Sequence, residues 1–139
     1  MFPDSITLDQ LNSLSENTMV SHLGIEFTEL SASHLMAKMP VDERTKQPMG
    51  LLHGGASVVL AETLGSIASS LLLQGKNQYA VGLEINANHI KSAKEGYVWG
   101  KTQSIHIGKR THIWEISIKN DQEELVAISR LTVAVIDKK

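Results

Sequence analysis

From Gly54 to Gln74 the chain reads GGASVVLAETLGSIASSLLLQ, a stretch in which Glu62 is the only charge. Its alanine, valine, leucine and isoleucine fall on nearly every side of a helical wheel, the pattern of a buried helix. An ionised carboxylate on such a helix is costly unless partners replace its lost water. This one feature constrains the whole chain. The remaining residues have to wrap an apolar rod, and they have to neutralise Glu62 or put it to use. The length would also suit a membrane span. Glu62 in mid-span, His53 before it and the interspersed serines and glycines argue against that, because charge near a bilayer centre is expensive.

The flanking segments supply the wrapping. Thr7 to Glu16 places Leu8, Leu11 and Leu14 at helical spacing behind a Thr7 cap, and Asn17 to Gly24 continues as a short turn or helix. Ile25–Leu30 and His34–Val41 flank Ser31-Ala32-Ser33 as a hairpin, with Leu35, Ala37 and Met39 alternating against Met36 and Lys38. Asp42 to Leu52 is a polar loop leading into the helix. Four strand-like runs follow it: Tyr79–Ile90, Tyr97–Ile107, Thr111–Lys119 and Glu124–Ile136. Short turns between consecutive strands imply an antiparallel meander. The expected architecture is α+β, one domain over residues 1–139, with the helix laid on one face of the sheet. A single sheet covers only part of an all-round apolar helix. Val58, Val59, Ala61 and Leu64 are spread around the helix, so the part left uncovered predicts association with a second copy.

Composition removes several classes of function. There is no cysteine, hence no disulfide, thiolate metal site or cysteine nucleophile. A net charge of -2 argues against nucleic acid as a partner. Met1 to Ser5 shows neither a basic n-region nor an apolar h-region, so a cytoplasmic location is the default expectation. His22, His34, His89, His106 and His112 have no ligand spacing, so no metal is expected. Neither GxGxxG, GxxxxGK[ST] nor GxSxG occurs.

What chemistry remains gathers around the helix. On its surface Glu62 shares a side with Val58, Val59, Gly65 and Ser66. A small neighbour in Gly65 and a hydroxyl in Ser66 suit a carboxylate whose pKa is raised by desolvation, a general base or a nucleophile. The alternative is a structural ion pair with a sheet cation such as Arg130. His53-Gly54-Gly55 stands at the helix start, where unpaired N–H groups and the positive dipole end favour developing negative charge. An oxyanion hole at the Gly54 N–H is one reading; a tight loop-to-helix turn is the other. Gln47 can position a carbonyl or a water, or can be merely solvated. Lys91, Lys94, Lys101, Lys109 and Arg110 sit near turns, as solvated charge or as a phosphate-binding patch. Glu62 lies about 12 Å along the helix from Gly54, too far for both to act on one carbonyl within a chain. Either one motif is irrelevant, or two helices run side by side in opposite directions.

The strings TKQPMGLLHGGASVVLAETLGS and VGLEINANH resemble the hot-dog-fold acyl-CoA thioesterases, and the likeness runs from LNSLSENTMVSHLGI to SRLTVAVI. The branch it most resembles is that of the bacterial 1,4-dihydroxy-2-naphthoyl-CoA hydrolases of menaquinone synthesis. Its sister is the thioesterase that proofreads misacylated aryl carrier protein in enterobactin synthesis. The resemblance implies an antiparallel sheet wrapped around one long central helix. It implies Glu62 as the catalytic carboxylate, attacking the thioester or activating water, and the Gly54 N–H polarising the carbonyl, with Gln47 and His53 positioning the reacting groups. It further implies Ser66 beside Glu62, His89 lining the pocket, and Lys91, Lys109 and Arg110 meeting the coenzyme A phosphates. Lys91 stands where relatives tend to carry Arg, which removes a bidentate contact. A dimer of dimers with sites shared between subunits is implied, and no metal or cofactor.

The expected reaction is hydrolysis of an aromatic acyl-CoA. The alternatives are a proofreading thioesterase acting on an aryl or acyl carrier protein, a broad medium- or long-chain acyl-CoA hydrolase, and a non-catalytic acyl-CoA-binding protein. A dehydratase is weaker, since no histidine stands beside an acidic residue on the helix. Leu52, Leu64, Ile67 and Ala68 are the expected pocket walls. EINANH leans toward the naphthoyl-CoA hydrolases and SENTMVSHLGI toward the carrier-protein proofreader.

Overall fold

The apolar run folds as the long helix expected of it. In the computed structural model, which describes residues 1–139, two short helices, α1 (Leu8–Leu14) and α2 (Met19–His22), precede α3 (Gly54–Leu72). His53 caps α3 in an extended conformation, its Nδ1 accepting the Gly55 N–H at 2.8 Å. Glycines and β-branched valines are poor helix formers, so α3 owes its stability to packing rather than propensity. Leu60, Ala61, Leu64 and Ala68 are fully buried against the sheet. Although α3 has the length and hydropathy of a membrane span, this face is spent on the protein's own core.

The sheet has six strands: β1 (Glu26–Leu30), β2 (His34–Pro40), β3 (Gln78–His89), β4 (Tyr97–Ile107), β5 (Thr111–Asn120) and β6 (Leu125–Asp137). All pairings are antiparallel, in the order β1-β2-β4-β5-β6-β3. This is the α+β hot-dog architecture, a sheet wrapped around one helix. The expected meander holds only from β4 to β6. β3 does not pair with β4; it lies at the far edge against β6, and residues 90–96 cross the strand ends to reach β4. That crossing is fastened as it goes. Ile90 donates to Val126 O, Leu52 donates to Ala93 O and Val41 donates to Gly96 O, each at 2.8 Å. Ala93 is buried beneath it.

Register sorts the molecule into two ends. The end of β3 at His89, the start of β4 and the β5–β6 turn share one end with the loop that precedes α3. The β4–β5 turn, with Lys109 and Arg110, and the start of β3 lie at the other. Two glycines let α3 settle on the sheet. A Cβ at Gly100 would come 2.5 Å from Leu64 Cδ1, and one at Gly65 would come 2.5 Å from Leu131 Cδ2. Gly65 thus serves packing and does not make room for Glu62, as its place beside that residue had suggested.

α1 is pinned to the opposite edge of the sheet. Thr7 and Gln10 close a capping box at its start. The Asn12 carboxamide accepts from Phe27 N–H at 2.8 Å and donates to Phe27 O at 3.1 Å. β1 therefore has an edge peptide satisfied by a side chain. The β3 edge is long, largely exposed and carries Val81 and Leu83 in the open, a surface apt for strand pairing.

Candidate active site

Glu62 leaves α3 on the side facing β3 and is half-buried. Its carboxylate lies over the strand at Gly82, where a Cβ would fall 2.5 Å from Oε1. No cation pairs with it among the ion pairs of the molecule. Arg130 is exposed on the other face of the sheet, because its neighbour Leu131 points inward onto Gly65. The structural ion pair is thereby excluded. Burial pushes the Glu62 carboxyl above its ordinary value, and the Ser66 hydroxyl offsets only part of that. A half-buried carboxylate without a counter-ion is competent to take a proton or to attack a carbonyl.

A second group gathers at the α3 N-terminus. Gln47, Leu52, Gly54, His89 and Lys91 line a cavity of about 290 Å³ between the loop before α3 and the end of β3. The Gly54 N–H has no hydrogen-bond acceptor, whereas its neighbour Gly55 donates to His53. His89 closes over Gly54 so tightly that a Cβ there would come 2.9 Å from Nε2. Gln47 Oε1 accepts the Met49 N–H, a group that can only donate. The Gln47 amide therefore keeps its own N–H donors for the cavity. His53 itself is exposed, held by its cap.

Within one chain the two groups stay apart. Gln47, Gly54 and His89 come together with His53 beside them, and Glu62 comes together with Ser66, one helical stretch away. The basic residues divide as well. Lys91 borders the cavity but pairs with Glu124 at 2.6 Å, while Lys109 and Arg110 occupy the exposed turn at the opposite end. Among the expected pocket walls Leu52 does line the cavity. Leu64 and Ala68 are fully buried core residues and cannot, because their sides of α3 face the sheet. Ile67 is half-buried near β3, away from that cavity. Gly82 went unrecognised in the sequence. Its signal was a lone glycine inside the strand run AVGLEI, which marks close approach by another group. No cluster of metal-ligating side chains is present.

Residues 49–127 match the family described as Thioesterase superfamily. The chain is 52% identical over 131 residues, covering 94% of this chain and 96% of the relative, to the 1,4-dihydroxy-2-naphthoyl-CoA hydrolase of Escherichia coli. The crystal structure of a thioesterase from Haemophilus influenzae superposes with a TM-score of 0.94 at 45% identity, covering 98% of this chain and 94% of that one. A mutant thioesterase from Pseudomonas aeruginosa gives 0.95 at 46% identity, covering 98% of each chain. The chain belongs to the thioesterase superfamily and is a hydrolase of the hot-dog type.

Proposed function

We propose that this thioesterase hydrolyses an aromatic acyl-CoA of the 1,4-dihydroxy-2-naphthoyl type, in the cytoplasm, with Glu62 as the reacting carboxylate. The observation that carries the reading is the Glu62 side chain, desolvated and unpaired beside Gly82. The likeness to the Escherichia coli naphthoyl-CoA hydrolase supports the acyl class.

The site needs two chains. Antiparallel pairing of two β3 edges would lay two α3 helices side by side in opposite directions. Glu62 and Ser66 of one chain would then meet Gln47, His53 and Gly54 of its neighbour. The free Gly54 N–H would polarise the thioester carbonyl and the Gln47 amide would donate beside it, while Glu62 attacks the carbonyl or takes a proton from water. If Glu62 attacks, the C–S bond breaks to release the coenzyme A thiol, and water then cleaves the acyl–glutamyl anhydride to the acid. If Glu62 takes a proton, the activated water attacks the carbonyl and releases both products directly. The same pairing brings the neighbour's Lys109 and Arg110 to the end where His89 and Lys91 stand. Coenzyme A phosphates would find these cations there. Neither a metal nor a cofactor has a part in this scheme.

The test is thiol release from aromatic acyl-CoA. Glu62→Gln is expected to fold normally and to lose about a hundredfold or more in kcat. Wild-type turnover by that variant would remove Glu62 from the mechanism. Mixing and refolding Glu62→Gln with Gln47→Ala tests the shared site. A heterodimer regains one intact site, so the mixture is expected to exceed both parents, and no recovery would put the site back inside one chain.

A further inference from the structure

Lys91 is the only lysine or arginine that borders the cavity beside Gly54, and its charge is already engaged. The ammonium lies 2.6 Å from Glu124 Oε2. Exposed ion pairs usually contribute little, because two long side chains must be held in one geometry. This pair is anchored from both ends. On the lysine side, the Ile90 and Lys91 N–H groups donate to Val126 O at 2.8 and 3.2 Å. On the glutamate side, the Asn120 carboxamide donates to Glu124 Oε1 at 3.0 Å and accepts the Glu124 N–H at 2.9 Å. The Asn120 N–H donates to Glu124 O at 3.0 Å, and Glu123, at a left-handed φ of 62°, closes the turn between them.

Both carboxylate oxygens of Glu124 are thus occupied, Oε2 by Lys91 and Oε1 by Asn120. Lys91 first and Asn120 second hold its carboxyl below the usual glutamate range, so it is charged at neutral pH. About half of each side chain nevertheless remains in water, within reach of a ligand. An ammonium has three donors, and Glu124 takes one of them. An anion arriving at Lys91 meets the other two and, beside them, a fixed negative charge.

We infer that Glu124 sets the specificity of the proposed site for the thiol carrier: it stands in for a substrate anion on Lys91 and so weakens the hold on carriers that bear phosphate. The inference rests on the reading that coenzyme A phosphates meet Lys91, and it adds the group that opposes them. Glu124 touches no reacting atom and acts through Lys91, as a positioning residue. Its effect therefore belongs in KM, depends on phosphate in the substrate and is screened by salt.

Thiol release is measured with 2-naphthoyl-CoA and with 2-naphthoyl-pantetheine, the same thioester without the phosphates. Glu124→Gln keeps an oxygen for Asn120 and removes the charge. Its KM for the coenzyme A thioester is expected to fall about three- to fivefold at low salt. KM for the pantetheine thioester is expected to be unchanged, and the gain on the coenzyme A thioester to close as salt is raised. Glu124→Lys, which places a further cation there, is expected to lower the coenzyme A KM more. A coenzyme A KM that is unchanged or higher in Glu124→Gln, or an equal change on both thioesters, would overturn the assignment. Failure of the parent reading has a different signature. Lys91→Gln is expected to raise KM for the coenzyme A thioester alone, and wild-type values on both thioesters in that variant would place the phosphates elsewhere.

Discussion

The two flanks of α3 use the same residue types to opposite ends. On the flank facing β4 and β5, Gly100 admits Leu64, the Thr102 hydroxyl two residues on is buried without a partner, and three polar side chains close upon one another. Trp114 Nε1–H donates to Ser69 Oγ at 2.7 Å, and Ser69 lies 3.0 Å from His112 Nδ1, all three buried. On the flank facing β3, Gly82 admits a carboxylate, and that carboxylate has neither a cation nor a full set of donors. A glycine in a strand and a polar residue in an apolar helix are therefore ambiguous signals in themselves. Their meaning depends on whether the neighbouring strand lies inside the sheet or at its open edge.

Paired substitutions break that comparison most sharply. A methyl at Gly82 meets only the mobile tip of Glu62, so Gly82→Ala is expected to fold and to displace the carboxylate. Misplacement by about 1 Å costs on the order of a hundredfold in rate. A methyl at Gly100 meets Leu64 at 2.5 Å and Leu60 at 3.3 Å in the core. Overpacking there is expected to cost about 1–3 kcal/mol of stability, with turnover per folded molecule unchanged. Urea unfolding and thiol release on both variants decide it. If Gly82→Ala lost stability and kept its rate, the open flank would be ordinary core.

These flanks also show how far the sequence could be read. The helix was legible because its apolar run is long and uniform, and the strands because alternation resumes on either side of it. The place of β3 was not legible. A loop of the length of residues 90–96 serves a hairpin or a crossing equally well, and only the hydrogen bonds of Ile90, Leu52 and Val41 reveal the crossing. The open edge next to Glu62 was hidden with it. Gly65 was joined to Glu62 by helical spacing alone, and that spacing does not tell which sides of α3 and β6 meet, so Arg130, Leu64 and Ala68 were given faces they do not have. The residues proposed for chemistry were visible as motifs. Their division into two separated groups was visible only as a helical distance.

A smaller effect concerns the stability of the open flank. Burial raises the Glu62 pKa above 4.5, so the folded chain binds its proton more readily than the unfolded chain does. The unfavourable charge is absent below about 4.5 and grows in as pH rises through the folded value. Glu62→Gln removes it. The variant is expected to match or exceed the wild type in Tm at pH 7, an advantage that vanishes in acid. A variant less stable than wild type at neutral pH would mean that the carboxylate holds the fold together.

The smallest effect lies on the closed flank and has the opposite sign. Trp114 can only donate, so the Ser69 oxygen accepts from it, and the remaining hydroxyl proton and lone pair of Ser69 face His112 Nδ1. Burial holds its pKa below 6.5, and Lys76 and His106 push in the same direction. The unfolded chain takes up this proton at a higher pH than the folded chain. The contribution of His112 is therefore complete above 6.5 and is lost as pH falls from there toward the folded value. Denaturation from pH 8 to 5.5 is expected to show a decline that His112→Gln flattens, while the relative rates on long and short acyl thioesters stay as they are. A His112→Gln variant that keeps the full acid slope would assign the slope to other groups and leave this flank electrically silent.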